Sequence, residues 1–301
     1  MAAGRRQRVA VLLVLALGLG LFLLVLLNYL LGLNALLFVS DTLGFSPTRF
    51  ESSFDDGKIR CRLCQHDGWA VRNNSNNPDA IRVVGDGFPH RDGRYSLRVH
   101  AKKDEPWNPN PKLELSASAQ PFFEIATEYW VGWSIYLPDD GEYEFDSAYQ
   151  EVMLQIHGLN DSCDPGGVGP PHALRPIDGR WRWDVRWDPN ECMGPEPAGQ
   201  EIIDMGPQER GRWTDFVARF VFSSGDDGTT QVWRDGTLVV DRVGMPNHYN
   251  NEKGPYMKLG FYKAGWLNNP TDVDTRTLYV DAIRVFEGPD GYSFVDPAQD
   301  A

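Results

Sequence analysis

Two short stretches hold side chains whose types and spacing suit proton chemistry. In "PYMKLGFYKAG", Pro255 to Gly265, strand alternation sends Leu259 and Phe261 one way and Lys258, Gly260 and Tyr262 the other. In "EVMLQIHG", Val152, Leu154 and Ile156 share one face, and Met153, Gln155 and His157 share the opposite one. A third stretch, "RYSLRVHAK", turns Arg98 and His100 outward. These groups match the needs of β-elimination from a uronic-acid polymer. A carboxamide or a cation neutralises the sugar carboxylate while an enolate-like anion forms. Histidine and tyrosine are the base and acid for the two proton transfers. Lys258 is expected to favour the phenolate of Tyr262, and Gly260 to leave room for a sugar ring. Hydrolysis would instead need two carboxylates about 5–10 Å apart. The Glu-x-Asp-x-x-Glu strand of glucanases is missing, since "EYEFD" at Glu142 to Asp146 has a different spacing.

The elements that position these side chains are strands. The 301 residues include ten Trp, eleven Tyr, fifteen Phe, 30 Gly and 21 Pro, a mix that favours short strands and turns. From Phe50 onward roughly ten strands can be read. "YWVGWSIYLP" is apolar on both faces, as a covered central strand is. "RWRWDVRW" alternates tryptophans with Arg182, Asp184 and Arg186, and "TTQVWRDGTLVVDR" is a hairpin around Asp-Gly. The Gly- and Pro-rich stretch from Asn160 to Arg180 reads as a rim insertion. The expected fold class is all-β, a concanavalin-like jelly-roll sandwich of two sheets in a single domain over residues 45–301.

Outside that domain, Arg5, Arg6 and Arg8 precede nineteen uncharged residues from Val9 to Leu27. A run of this length spans a bilayer, and the arginines place its N-terminal side in the cytoplasm. Residues 1–40 are therefore expected to form a cytoplasmic stub and a transmembrane signal-anchor helix. The domain would sit outside the cytoplasm, periplasmic or extracellular, or be secreted if the segment is cleaved. The formal charge is −13, and residues 1–40 hold three arginines and no acid, so the rest carries −16. That excludes nucleic acid as a partner and calls for a locally basic cleft if the substrate is a polyanion. Arg98, Lys112, Arg182, Arg186, Lys258 and Lys263 are the candidates for it. Four cysteines in an exported domain suggest two disulfides, Cys61 with Cys64 and Cys163 with Cys192.

"QIH" at Gln155 to His157 and "YMKLGFYKAG" at Tyr256 to Gly265 resemble two signature strands of jelly-roll polysaccharide lyases of the heparin-lyase-I-like and glucuronan-lyase group. Alginate lyases of the same fold are similar at greater distance. The group's Arg-x-Glu-Leu-Arg strand survives only as "KLEL", Lys112 to Leu115, which keeps a charge but loses a bidentate fork. The resemblance runs over residues 50–288. It implies that Gln155 holds the uronate carboxylate, that His157 is the base or the partner of the tyrosine, and that Tyr262 is the acid and, for one stereochemistry, also the base. Lys258, Lys112, Arg98 and His100 are the implied substrate contacts, the last two through an Arg-x-His pair. The implied partner is an anionic polysaccharide, glucuronan-, heparin- or alginate-like, with no cofactor for catalysis. Related jelly rolls hold a structural calcium between the first and last strands, for which Asp281 and Glu51 are the candidate ligands. A carbohydrate-binding jelly roll without chemistry is the alternative, and the pairing of His157 with Tyr262 separates the two, since binding alone needs neither.

Overall fold

Short runs of alternating or continuously apolar residues, separated by turns rich in Gly and Pro, build fifteen strands among the described residues. The computed structural model describes residues 49–52, 54–59, 69–117, 122–166 and 168–300. In chain order the strands are β1 (Arg49–Ser52), β2 (Trp69–Asn73), β3 (Ile81–Val84), β4 (Ser96–Lys102), β5 (Lys112–Ala117), β6 (Glu128–Tyr136), β7 (Val152–Leu159) and β8 (His172–Leu174). They continue with β9 (Arg180–Trp187), β10 (Gly199–Pro207), β11 (Trp213–Val221), β12 (Thr229–Arg234), β13 (Thr237–Val243), β14 (Lys253–Tyr262) and β15 (Thr275–Glu287), and a one-turn helix α1 (Tyr292–Val295) follows. Every pairing between these strands is antiparallel. One sheet runs β13-β12-β11-β6-β15-β4-β3, with β1 also on β15, and the other runs β10-β9-β8-β7-β14-β5-β2. The result is an all-β sandwich of jelly-roll type.

The core is the layer between the sheets. Leu113, Leu115, Leu154, Ile156, Met257, Leu259 and Phe261 enter it from the second sheet, and Leu97, Val99, Trp133, Ile135, Phe216 and Leu278 from the first. Trp133 stacks on Phe216 at 5.1 Å and sits 6.2 Å from Trp183, so aromatic rings bridge the two layers. β6 is covered on its outer face as well, where Trp130 meets Trp233, Tyr292 and Val295 of the C-terminal segment. The hairpin turn at Asp235 and Gly236 has positive φ at both residues (48° and 74°), the type I′ signature of Asp-Gly.

Several sequence expectations need correction or fall outside this description. The stretch from Asn160 to Arg180 is more than a rim loop, because β8 lies inside it and joins β7 to β9. Its three residues, His172, Ala173 and Leu174, are too few to show a period. The Cys163–Cys192 disulfide is present and ties this stretch to the one after β9. Cys61, Cys64 and the apolar segment from Val9 to Leu27 lie outside the described residues. No helix among the described residues is long and apolar enough to cross a membrane.

Gly260 has a different role from the one its sequence suggests. The register of β14 against β7 shifts between Leu259 and Tyr262, and Gly260 takes φ of 143° within that irregularity. A Cβ there would lie 2.3 Å from the Leu113 carbonyl oxygen and 3.0 Å from the Glu114 Cα. The glycine therefore lets β5 approach at a bulge rather than opening space for a sugar. Gly260→Ala should cost about 2–4 kcal/mol of stability from strain and overpacking together. Gly236→Ala, with positive φ but no atom within 4 Å of its Cβ, is the control for strain alone. Urea denaturation should show a clearly larger loss for Gly260→Ala, and equal losses would mean that the close approach has no cost.

Candidate active site

The outer face of the second sheet gathers the reactive residues by register. β14 lies between β5 and β7, so Lys258 stands opposite Ser116 on one side and Gln155 on the other. Tyr256 stands opposite His157, Gly260 opposite Glu114, and Tyr262 opposite Lys112. β2 continues the sheet and sets Arg72 opposite Glu114. Directly opposed residues on antiparallel strands share a face. Arg72, Lys112, Glu114, Gln155, His157, Tyr256, Lys258 and Tyr262 therefore form one continuous surface over the apolar residues beneath. Of the residues proposed from sequence, Gln155, His157, Lys112, Lys258 and Tyr262 are brought together here.

At the centre is an acid that the sequence reading had not singled out. Glu114 is 2% exposed and Gln155 is 3% exposed, and the Gln155 amide donates to Glu114 Oε1. Burial raises the Glu114 pKa, opposed by Lys258, the Gln155 hydrogen bond, Lys112 and Arg72. None of the three cations forms an ion pair with Glu114. Lys258 Nζ lies over the Tyr256 ring at 5.1 Å, Lys112 Nζ lies over the Tyr262 ring at 4.6 Å, and Arg72 is exposed on the outer strand. Burial lowers the pKa of both lysines, partly offset by Glu114. Three cations therefore surround a pocket floor that carries at most one negative charge.

The two proton-transfer groups flank that centre. His157 donates from Nδ1 to the Gly158 carbonyl at 2.8 Å, which leaves the lone pair on Nε2. Burial, then the charge of Lys258, lowers its pKa to about 4, so the ring is neutral near pH 7. Tyr262 lies six residues along β14 from the strand position facing His157, about 20 Å of backbone. Its pKa is raised by burial and by Glu114, with Arg175 acting the other way. The expected help from Lys258 is not seen, because Lys258 packs on Tyr256 instead. Tyr262 is thus held as a protonated phenol, fit to donate, and His157 as a neutral imidazole, fit to accept.

Other cations of the fold are committed elsewhere. Asp184 pairs with Arg175 at 2.9 Å and with Arg186 at 3.1 Å, and accepts from Gln200 at 2.7 Å. Lys263 is buried against Asp146 at 3.0 Å, next to the Glu151–Arg276 pair. Arg98 and His100 belong to β4 in the other sheet, where Leu97 and Val99 alternate with them and face the core. Arg98 reaches Glu142 at 3.4 Å and His100 lies 2.8 Å from Thr277 Oγ1, so the Arg-x-His pair is not part of this site. The reason is topological: alternation told which way these residues point but not which sheet β4 joins.

The proposed calcium ligands do not fit a cation. Asp281 is buried and accepts from the backbone N–H groups of Arg91, Asp92 and Ala282 at 2.7, 3.1 and 2.8 Å. Burial lifts its pKa to about 7, against those hydrogen bonds. Glu51 pairs with Arg284 at 3.4 Å, and Arg284 also bonds Asp92 at 2.7 Å, so a guanidinium already fills the place between them. No group of three or more metal-binding side chains occurs among the described residues.

Nitrogen NMR of the imidazoles tests the electrostatics directly. His157 should stay in the Nδ1–H form at pH 7 and titrate near 4, well below the usual value of about 6.5. The sign follows from the depressed value. The unfolded chain gains this proton first as pH falls, so stability tied to His157 is lost between about pH 6.5 and 4. A midpoint at 6.5 or above would contradict the site as described.

Comparison with known proteins places the fold and the family. The family model "Polysaccharide lyase" matches residues 63–284, well over half of the chain and every strand of the site sheet. No curated protein sequence matches the chain. Among solved structures, an endo-β-1,4-glucuronan lyase from the fungus Trichoderma reesei superposes with a TM-score of 0.62 at 17% identity, over 77% of this chain and 95% of that one. The alginate lyase AlyC3 gives a TM-score of 0.48 at 14% identity, over 80% and 89% of the two chains. The alginate lyase A1-II', of polysaccharide lyase family 7, gives 0.47 at 16%, over 70% and 85%. The first of these likenesses concerns the fold, while the family match rests on the sequence itself: the chain belongs to the polysaccharide lyase family.

Proposed function

We propose that this lyase cleaves an unsulfated uronate polysaccharide by β-elimination in the cleft over β2, β5, β14 and β7. The observation that carries the reading is the set of three cations, Arg72, Lys112 and Lys258, arranged around the Gln155–Glu114 pair without ion-pairing to any described residue. Such charges, left uncompensated next to buried groups, suit an anion that arrives with the substrate. The uronate carboxylate takes that place, with the Gln155 amide as a further donor. Arg72 offers the planar fork that Lys112 lacks, so the guanidinium of this site comes from the neighbouring strand.

The proton transfers follow from the two flanking groups. His157 Nε2 takes the proton from the carbon bearing the carboxylate. Tyr262 gives its proton to the departing glycosidic oxygen, and the electron pair left by the first proton forms the new double bond beside the broken linkage. The two side chains reach toward each other over the roughly 20 Å between their strand positions, as their shared neighbour Lys112 supports. Cations at the carboxylate stabilise the anion between these steps. The absence of sulfate from the proposed substrate rests on charge: Arg175, Arg186 and Lys263 are neutralised by Asp184, Asp146 and Glu151, so the free cations suffice for one carboxylate position. The overall charge of −13 also disfavours a denser polyanion.

The cellular setting is proposed on separate grounds. Arginines followed by nineteen uncharged residues support an anchor with the domain outside the cytoplasm, and the Cys163–Cys192 disulfide suits an oxidising compartment.

Incubation with glucuronan, alginate, heparin and heparan sulfate, followed by ultraviolet absorbance of the conjugated double bond, tests the function. Absorbance should rise with an unsulfated uronan, and Tyr262→Phe should lower the rate by about 10²–10⁴-fold. A flat trace on all four with binding retained would favour a carbohydrate-binding role, and a rise confined to the sulfated polymers would overturn the substrate class.

A further inference from the structure

We propose that uronate binding in this cleft is coupled to uptake of one proton by Glu114. The inference deepens the functional reading above and rests on it. Glu114 Oε1 is bonded to Gln155, while Glu114 Oε2 is buried and has no hydrogen-bond partner. A buried carboxylate oxygen left bare is costly in either protonation state, so the free site is poised rather than settled.

Every charged or titratable group that faces Glu114 can be named. Arg72 comes from β2, Lys112 from its own strand, Lys258, Tyr256 and Tyr262 from β14, and His157 beside Gln155 from β7. Of these only the three cations favour an ionised Glu114, and they do so without contact, alongside the hydrogen bond from Gln155. When a substrate carboxylate joins them, the same cations serve two negative charges, and each carboxylate now opposes ionisation of the other. The substrate group keeps the freely approaching cations and part of its water. Glu114 is the one shut away from solvent, and so takes the proton. The proton comes from solvent, and no covalent bond changes. Protonation turns Oε2 from an unmet acceptor into a donor, while Oε1 goes on accepting from Gln155 and fixes the amide that meets the substrate. Glu114 is thus a positioning residue whose charge state follows occupancy.

Calorimetry of the full-length protein tests this. Tyr262→Phe serves as the background so that the polymer is not consumed, and a glucuronan oligosaccharide is the probe. Binding enthalpy is measured in buffers of different ionisation enthalpy between about pH 6 and 9, which gives the protons taken up per site. The uptake should approach about one within that range, and the apparent Kd should rise with pH by up to about tenfold per unit. Adding Glu114→Gln keeps the acceptor for Gln155 but cannot titrate, so binding should persist with no uptake and a flat pH dependence. Adding His157→Asn in place of Glu114→Gln should leave the uptake intact, which keeps the assignment testable if Glu114→Gln folds poorly. Uronate binding without uptake at any pH, or uptake that survives Glu114→Gln, would overturn the proposal. Binding by none of these proteins would instead remove the functional reading, and this inference with it.

Discussion

A slip of one residue in the pairing of β14 with β5 and β7 would turn Lys258 and Tyr262 into the core and push Leu259 and Phe261 into the cleft. Everything at the site depends on that register. It is held by the apolar side of the three strands, where Leu113, Leu115, Leu154, Ile156, Met257, Leu259 and Phe261 are buried against the facing sheet. Gly260 refines it. By allowing an irregularity against β7 between Leu259 and Tyr262, it lets the strand pass close to β5 in unbroken register and keeps Tyr262 on the cleft side opposite Lys112. The hydrophobic effect thus sets the placement of the charged groups, since none of the cleft cations is anchored by an ion pair.

Charge compensation then divides the molecule into two kinds of polar site. In the Asp146, Glu151, Lys263, Arg276 cluster and around Asp184, each buried charge meets an opposite one, as stability requires. The cleft breaks this rule around Glu114, where cations exceed anions and a carboxylate oxygen has no partner. Such a departure is the mark of a surface shaped for something other than folding. It also resolves the conflict between a net charge of −13 and a polyanionic substrate, because attraction needs only the few uncompensated cations of the cleft and not the whole surface.

Much of the fold and part of the site were legible in the sequence. Period-two alternation in "EVMLQIHG" and "YMKLGFYKAG" gave both the strands and the faces of Gln155, His157, Lys258 and Tyr262 correctly. Alternation is local, however, and says nothing of which strands are neighbours. Arg98 and His100 pointed outward as read, but from the other sheet. Arg72 was missed because β2 is short, with Trp69 as its one buried residue, and its worth comes from lying opposite Glu114. Glu114 was visible within "KLEL", yet its burial is a tertiary fact. The oxygens of Asp281 and Glu51 looked available for a cation only while Arg284 and the backbone of Arg91 and Asp92 were out of view.

The central claim is that the cations over β2, β5 and β14 recognise a carboxylate, and one comparison tests it most directly. Affinity of the Tyr262→Phe protein should be measured for a β-1,4-linked glucuronate oligosaccharide and for the same oligosaccharide with its carboxyl groups reduced to alcohols. The account predicts binding of the acid that weakens with added salt, and loss of at least tenfold on reduction, since a hydrogen bond to a charged group contributes about 1.5–3 kcal/mol. Equal affinity for the two would contradict it, and would mean that the cleft holds sugar rings without reading their charge.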